Sequence, residues 1–92
     1  MPFEKLSELR SEIDELDERL LILLAARFKT TTEIGRVKGI NGIAPIDPIR
    51  EAQQQARIKM RAHELGLNPD FAWTLFKVVI DEVVENHRQF SD

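Results

Sequence analysis

The chain has no cysteine and no tyrosine, and it carries two histidines and one tryptophan. Without cysteine it can form neither a disulfide nor a thiolate metal site. His63 and His87 stand far apart in sequence, so no zinc site is expected and no metal is assigned. Basic residues are not in excess: the net charge is -3, with acids and bases interleaved. A nucleic-acid module normally shows a basic face, so nucleic acid is not an expected partner. A local cluster of cations can still oppose the global sign and take a small anion. No apolar run approaches the length of a membrane span, so no membrane is expected either. The N-terminal stretch MPFEKLSELR lacks the apolar segment of a signal peptide, which predicts a cytoplasmic protein. The 92 residues are read as one domain, residues 1–92, of a size that buries a modest fraction of its surface and is marginal alone.

Glycine and proline are sparse, four of each. Apart from Pro2 and Gly35 they fall at 39–48 and at 66–69, so the chain is punctuated twice. Three helices are predicted, and no strand. The first runs from about Glu4 to Lys38, with Leu6, Leu9, Ile13, Leu16, Leu20 and Leu23 spaced alternately three and four apart. That spacing makes a coiled-coil-like seam. The run Gly39-Ile40-Asn41-Gly42 breaks it. Asp47 caps the second helix with Pro48 in its first turn, and this helix ends near Gly66. Asn68-Pro69 repeats the start signal for the third, whose apolar face carries Ala72, Phe76, Val79, Ile80, Val83 and Val84.

Length then predicts the assembly. A helix of about 35 residues spans roughly 50 Å, whereas a compact chain of this size has a radius of gyration of about 12 Å. Around its middle, Leu20-Leu21-Ile22-Leu23-Leu24-Ala25-Ala26 is apolar on all sides and must be surrounded. One chain has two other helices for that task, so a second copy is the simplest source of cover. The alternative is a first helix that kinks and folds back on itself. The fold class read from the sequence is therefore all-α, three helices per chain with a long first helix, in an intertwined helical homodimer.

Charges in unexpected places mark the candidate site. Arg27 occupies the seam position after Leu23, where the pattern asks for a leucine. An unpaired buried guanidinium is costly, so something anionic should meet it, either an acid on a neighbouring helix or a ligand. Lys38 follows eleven residues later, three turns and about 20° on, which puts both cations on one face. Their long side chains can converge on a small anion. Arg10 precedes Arg27 by seventeen residues and points elsewhere. It is either a solvated arginine or a contribution to the site of a second subunit. Arg50 and Glu51 lie in the first turn of the second helix, where glutamate is favourable and arginine is not, a weak sign that Arg50 has a ligand. Arg57, Lys59 and Arg61 read as a solvated face, Phe71 and Trp73 as packing residues, and Thr30-Thr31-Thr32 as uninformative. His87 extends the apolar face of the third helix, as a packing residue or a hydrogen-bond donor. Gly35, inside the first helix, costs about 1 kcal/mol relative to alanine and marks close backbone approach.

Together these residues resemble the all-helical chorismate mutases. The segments that carry the resemblance are Leu9-Arg10 with Ile13-Asp14 and Leu16-Asp17, Leu23-Leu24-Ala25-Ala26-Arg27, Glu33-Ile34-Gly35-Arg36-Val37-Lys38, Asp47-Pro48-Ile49-Arg50-Glu51, and Leu75-Phe76 with Ile80-Asp81-Glu82. The resemblance implies a Claisen-type rearrangement of chorismate to prephenate, the branch step toward phenylalanine and tyrosine, with no cofactor. It implies two equivalent sites per homodimer, each borrowing Arg10 from the other chain. Arg27 and that Arg10 would hold the two carboxylates of the dianionic substrate, and Lys38 would donate to the ether oxygen. Asp47 and Glu51 would face the ring hydroxyl, and Arg50 would support the carboxylate region.

Two positions depart from the familiar pattern. Val83 stands where a serine often assists a carboxylate, and His87 stands where a glutamine often donates to the ether oxygen. The first loses a hydrogen bond; the second changes the donor. Relatives that eliminate pyruvate from isochorismate, or that rearrange amino-deoxychorismate, are the enzymatic alternatives. Asp47 favours a mutase over the lyase, which lacks an acid there. A non-catalytic helical dimerisation module, with Arg27 and Lys38 paired to acids such as Glu33, is the alternative of another class.

Overall fold

The computed structural model describes the backbone of residues 2–91 and the side chains of residues 2–86. Three helices follow in order: α1 (Pro2–Ile40), α2 (Pro48–Glu64) and α3 (Pro69–Ser91), with no strand among the described residues. The all-α, three-helix expectation holds. α1 extends two residues beyond each of its expected ends.

The local chemistry explains each boundary. Asp47 adopts an extended backbone and its Oδ1 accepts the Arg50 N–H at 3.0 Å, with Pro48 in the first turn of α2. Asn68 does the same for α3, its Oδ1 accepting the N–H groups of Asp70 at 2.9 Å and Phe71 at 3.1 Å. Each such cap satisfies donors that the helix leaves open, and is worth about 1 kcal/mol.

The C-termini of α1 and α2 share one device. The Leu67 N–H donates to the Ala62 carbonyl at 2.8 Å and the Gly66 N–H to the His63 carbonyl at 3.1 Å. The Ile43 N–H donates to the Lys38 carbonyl at 2.8 Å and the Gly42 N–H to the Gly39 carbonyl at 3.3 Å. Both are Schellman closures, which need a left-handed residue, and Gly42 (φ 66°) and Gly66 (φ 78°) supply it. The helix ends within the expected run Gly39-Ile40-Asn41-Gly42, after continuing through Gly39 and Ile40. Glycine inside a helix costs stability without forcing a stop. The positive φ at Gly42 is what ends α1.

The chain forms two compact units, Met1–Thr31 and Thr32–Asp92. In the second, α2 packs on α3 through buried Ile58, Ala62 and Ala72, with Trp73 and Phe76 against them. Ile80 is buried further along α3, and Val79, Val83 and Val84 are half-buried, so the face expected from spacing is the inward one. Trp73 is a packing residue as expected. Phe71 is not, because it is exposed. Lys59 is likewise more than a solvated charge: its Nζ lies 3.3 Å from Asp70 of α3. Arg61 pairs within its own helix with Glu64 at 3.2 Å, and Arg57 is exposed.

The first unit is a single stretch of helix. Its seam residues Leu6, Leu9, Ile13 and Leu16 are all exposed, and the apolar girdle Leu20–Leu23 is 59–66% exposed in the single chain. The threonines after it are locally occupied. The Thr30 hydroxyl donates to the Ala26 carbonyl and the Thr31 hydroxyl to the Phe28 carbonyl. Among the described residues no helix is long and apolar enough to cross a membrane, and no cluster of three metal-binding side chains occurs.

Candidate functional site

Arg10 and Arg27 belong to the first unit; Lys38, Asp47, Arg50, Glu51, Val83 and His87 belong to the second. Arg10 is exposed on α1. Arg27 is half-buried, with its Nη1 shielded from solvent. A leucine-type position therefore holds a cation that has lost part of its water, the condition under which an anion gains most from contact. Glu33 is held by Arg36, one turn further along α1. That side-chain hydrogen bond lowers the Glu33 pKa and raises that of Arg36.

Lys38 is half-buried in the last turn of α1, and its carbonyl closes the Schellman motif. The closure fixes where the helix ends, and hence the base from which the Lys38 side chain extends. The helix terminus is negative there, which favours a cation. A short loop then leads to Asp47.

The first turn of α2 gathers Asp47, Arg50 and Glu51. The capping bond uses Oδ1 of Asp47, and the Glu51 N–H donates to the Asp47 carbonyl at 3.0 Å. Arg50 is exposed. Glu51 has a role the sequence reading did not foresee. Its Oε1 accepts a hydrogen bond from Lys77 Nζ on α3 at 2.5 Å. Lys77 also lies 3.0 Å from Asp81, one turn on along α3. The bond to Glu51, and secondarily that to Asp81, raises the Lys77 pKa above the usual lysine range. The lysine is thus charged at neutral pH.

Lys77 was missed although a signal existed. It sits inside the apolar stretch Leu75-Phe76 and Val78-Val79-Ile80, the kind of misplaced cation that singled out Arg27. Its partner lies 26 residues away, beyond the reach of any local pattern. Val83 is half-buried on the inward face of α3. The side chain of His87 lies outside the described residues.

A family model described as "Chorismate mutase type II" matches residues 9–88. A "T-protein" of Haemophilus influenzae is 36% identical over 89 residues, which are 96% of this chain and 23% of that protein. A "Chorismate mutase" of Methanocaldococcus jannaschii is 30% identical over 89 residues, 97% of this chain and 90% of that protein. A "4-amino-4-deoxychorismate mutase" of Streptomyces venezuelae is 32% identical over 79 residues, 86% of this chain and 77% of that protein. The chain thus spans 23–24% of the length of the T-protein relatives and most of the length of the other two.

Proposed function

Because the chain belongs to the chorismate mutase type II family, we propose that it rearranges chorismate to prephenate, as one domain within a homodimer. The observation that carries this is that Arg10, Arg27, Lys38, Asp47, Arg50 and Glu51 all fall inside the matched residues 9–88. They are the residue types the reaction needs: cations for a dianion and its developing charge, and acceptors for a hydroxyl.

The reaction is an internal exchange of bonds. The ether carbon–oxygen bond breaks as a new carbon–carbon bond forms in the same molecule, and no atom, proton or electron enters or leaves. The protein's task is to hold the flexible ether in the compact shape that brings the bonding carbons together. It must also stabilise the negative charge that builds on the ether oxygen. Arg27 and Arg10 of the partner subunit bind the two carboxylates. Lys38 donates to the ether oxygen, with His87 as a second donor. Asp47 and Glu51 accept from the ring hydroxyl, Arg50 supports a carboxylate, and Val83 lines the wall. No cofactor or metal takes part. A dianion does not cross a bilayer unaided, so the enzyme meets it where it is made, for which we propose the cytoplasm.

The exposed leucines of α1 support the dimer. At about 25 cal/mol per Å² of apolar surface, leaving a whole seam in water forfeits several kcal/mol. A second copy of the same seam is the self-complementary cover that two-fold symmetry provides. Sedimentation equilibrium at micromolar concentration is expected to give twice the chain mass of 10.6 kDa. An active, stably folded monomer would overturn the assembly.

The activity itself is tested by the loss of chorismate ultraviolet absorbance on adding purified protein. Loss proportional to protein concentration supports the mutase or lyase chemistry. No loss above the uncatalysed rate leaves the dimerisation module. The second candidate substrate is 4-amino-4-deoxychorismate, because Streptomyces relatives named for it are 30–32% identical to this chain.

A further inference from the structure

Glu51, Lys77 and Asp81 form a charged bridge from the first turn of α2 to the middle of α3, joined at 2.5 and 3.0 Å. Cohesion does not require it. The same two helices are already held by Ile58, Ala62, Ala72, Trp73 and Phe76, and by the Lys59–Asp70 pair. Lys77 is 43% exposed and Glu51 27%, and ion pairs this wet contribute little stability.

What the bridge does alter is Glu51. A lone carboxylate attracts any cation. With an ammonium against Oε1, the same group is still a hydrogen-bond acceptor through Oε2, but much of its field is cancelled. Asp81 adds a negative charge, yet it is the most solvent-exposed of the three, and water and salt screen it.

We propose that Lys77 is a positioning and specificity-determining residue. It fixes the Glu51 carboxylate and offsets its charge, so that the site prefers a neutral hydroxyl to a cationic amine on the ring carbon Glu51 faces. This inference rests on the reading above that Glu51 faces that substituent. The two candidate substrates differ at this carbon, as the name 4-amino-4-deoxychorismate states. Aliphatic amines are protonated at neutral pH. The pair of ligands therefore differs by one positive charge beside the Glu51–Lys77 couple. A hydroxyl donates to Oε2 with or without the lysine. An ammonium meets repulsion from Lys77 and loses it when the charge is removed.

The experiment measures KM for chorismate and the inhibition constant of 4-amino-4-deoxychorismate as a competitor, in wild type, Lys77→Met, Lys77→Gln and Lys77→Arg homodimers. Circular dichroism checks that each is folded. In Lys77→Met and Lys77→Gln the ratio of inhibition constant to KM is expected to fall about tenfold, the effect of one charge a few ångströms away in partly screened surroundings. Lys77→Arg keeps the charge and is expected to keep the ratio. A purely structural Lys77 would weaken both ligands alike, so an unmoved ratio in the folded Met and Gln variants overturns the inference. An equal shift in Lys77→Arg overturns it too, as does complete loss of chorismate conversion by a folded Lys77→Met, which would mark Lys77 as a primary contact. Wild type that leaves chorismate untouched removes the chorismate reading and this inference with it; wild type that converts chorismate with an unmoved ratio removes the inference alone.

Discussion

Arg27→Ala and Lys38→Ala are each expected to slow chorismate conversion about 100- to 1,000-fold, the cost of removing one preorganised donor from a site that stabilises developing charge. The two losses should differ in kind. Lys38 is proposed to act on the ether oxygen, whose charge grows toward the transition state, so its removal should fall mainly on kcat. Arg27 is proposed to bind a carboxylate that is charged throughout, so KM should rise as well. Neither variant should unfold the protein. Arg27 lies on a seam where leucine fits the pattern, and alanine there removes a shielded cation rather than an apolar contact. Rates per folded protein, with circular dichroism melts alongside, check this. If Arg27 served only to tie helices together, Arg27→Ala would lower the melting temperature and leave the folded fraction fully active. That result would favour the dimerisation module.

Mixing Arg10→Ala with Arg27→Ala is expected to restore activity that neither homodimer has. Arg10 and Arg27 sit seventeen residues apart on one helix and face different ways, so one chain does not readily aim both at one small ligand. If each site takes Arg27 from one chain and Arg10 from the other, a mixed dimer holds one site with both arginines and one with neither. Unfolding the variants together and refolding them gives roughly half mixed dimers by random two-fold pairing, and about a quarter of wild-type activity by the same count. Restoration requires sharing across the interface, because no arrangement within one chain regenerates a complete site. Mass spectrometry of the mixed dimer establishes that exchange took place. Exchange without recovery would place both arginines in one chain's site, or Arg10 outside it.

The helix boundaries were legible because they are written in neighbouring residues. Asp47-Pro48 and Asn68-Pro69 announce their helices through a side-chain acceptor and a fixed φ, and both caps form as read. The expected last residue of α1, Lys38, falls two residues short of Ile40. A glycine at position 39 looks like a stop in sequence, but the decisive property is the sign of φ, and Gly42 carries it. The inward face of α3 was visible in its 3.6-residue periodicity, which Ala72 and Ile80 obey. Phe71 was misjudged because an aromatic residue next to that face need not point into it. Arg27 and Lys38 drew notice because charge interrupts an apolar pattern. Lys77 interrupts one equally but was passed over, since its meaning depends on Glu51, on another helix. Pairings of that kind arise from packing and leave no mark in spacing.

The most direct measurement is the product that wild-type protein makes from chorismate, identified by proton nuclear magnetic resonance as the reaction runs. Prephenate should accumulate, one for each chorismate consumed, with no pyruvate released. That follows from a rearrangement in which every atom stays in one molecule, held by cations and hydrogen bonds. Release of pyruvate, or chorismate unchanged beside a protein that is folded and dimeric, would contradict the account.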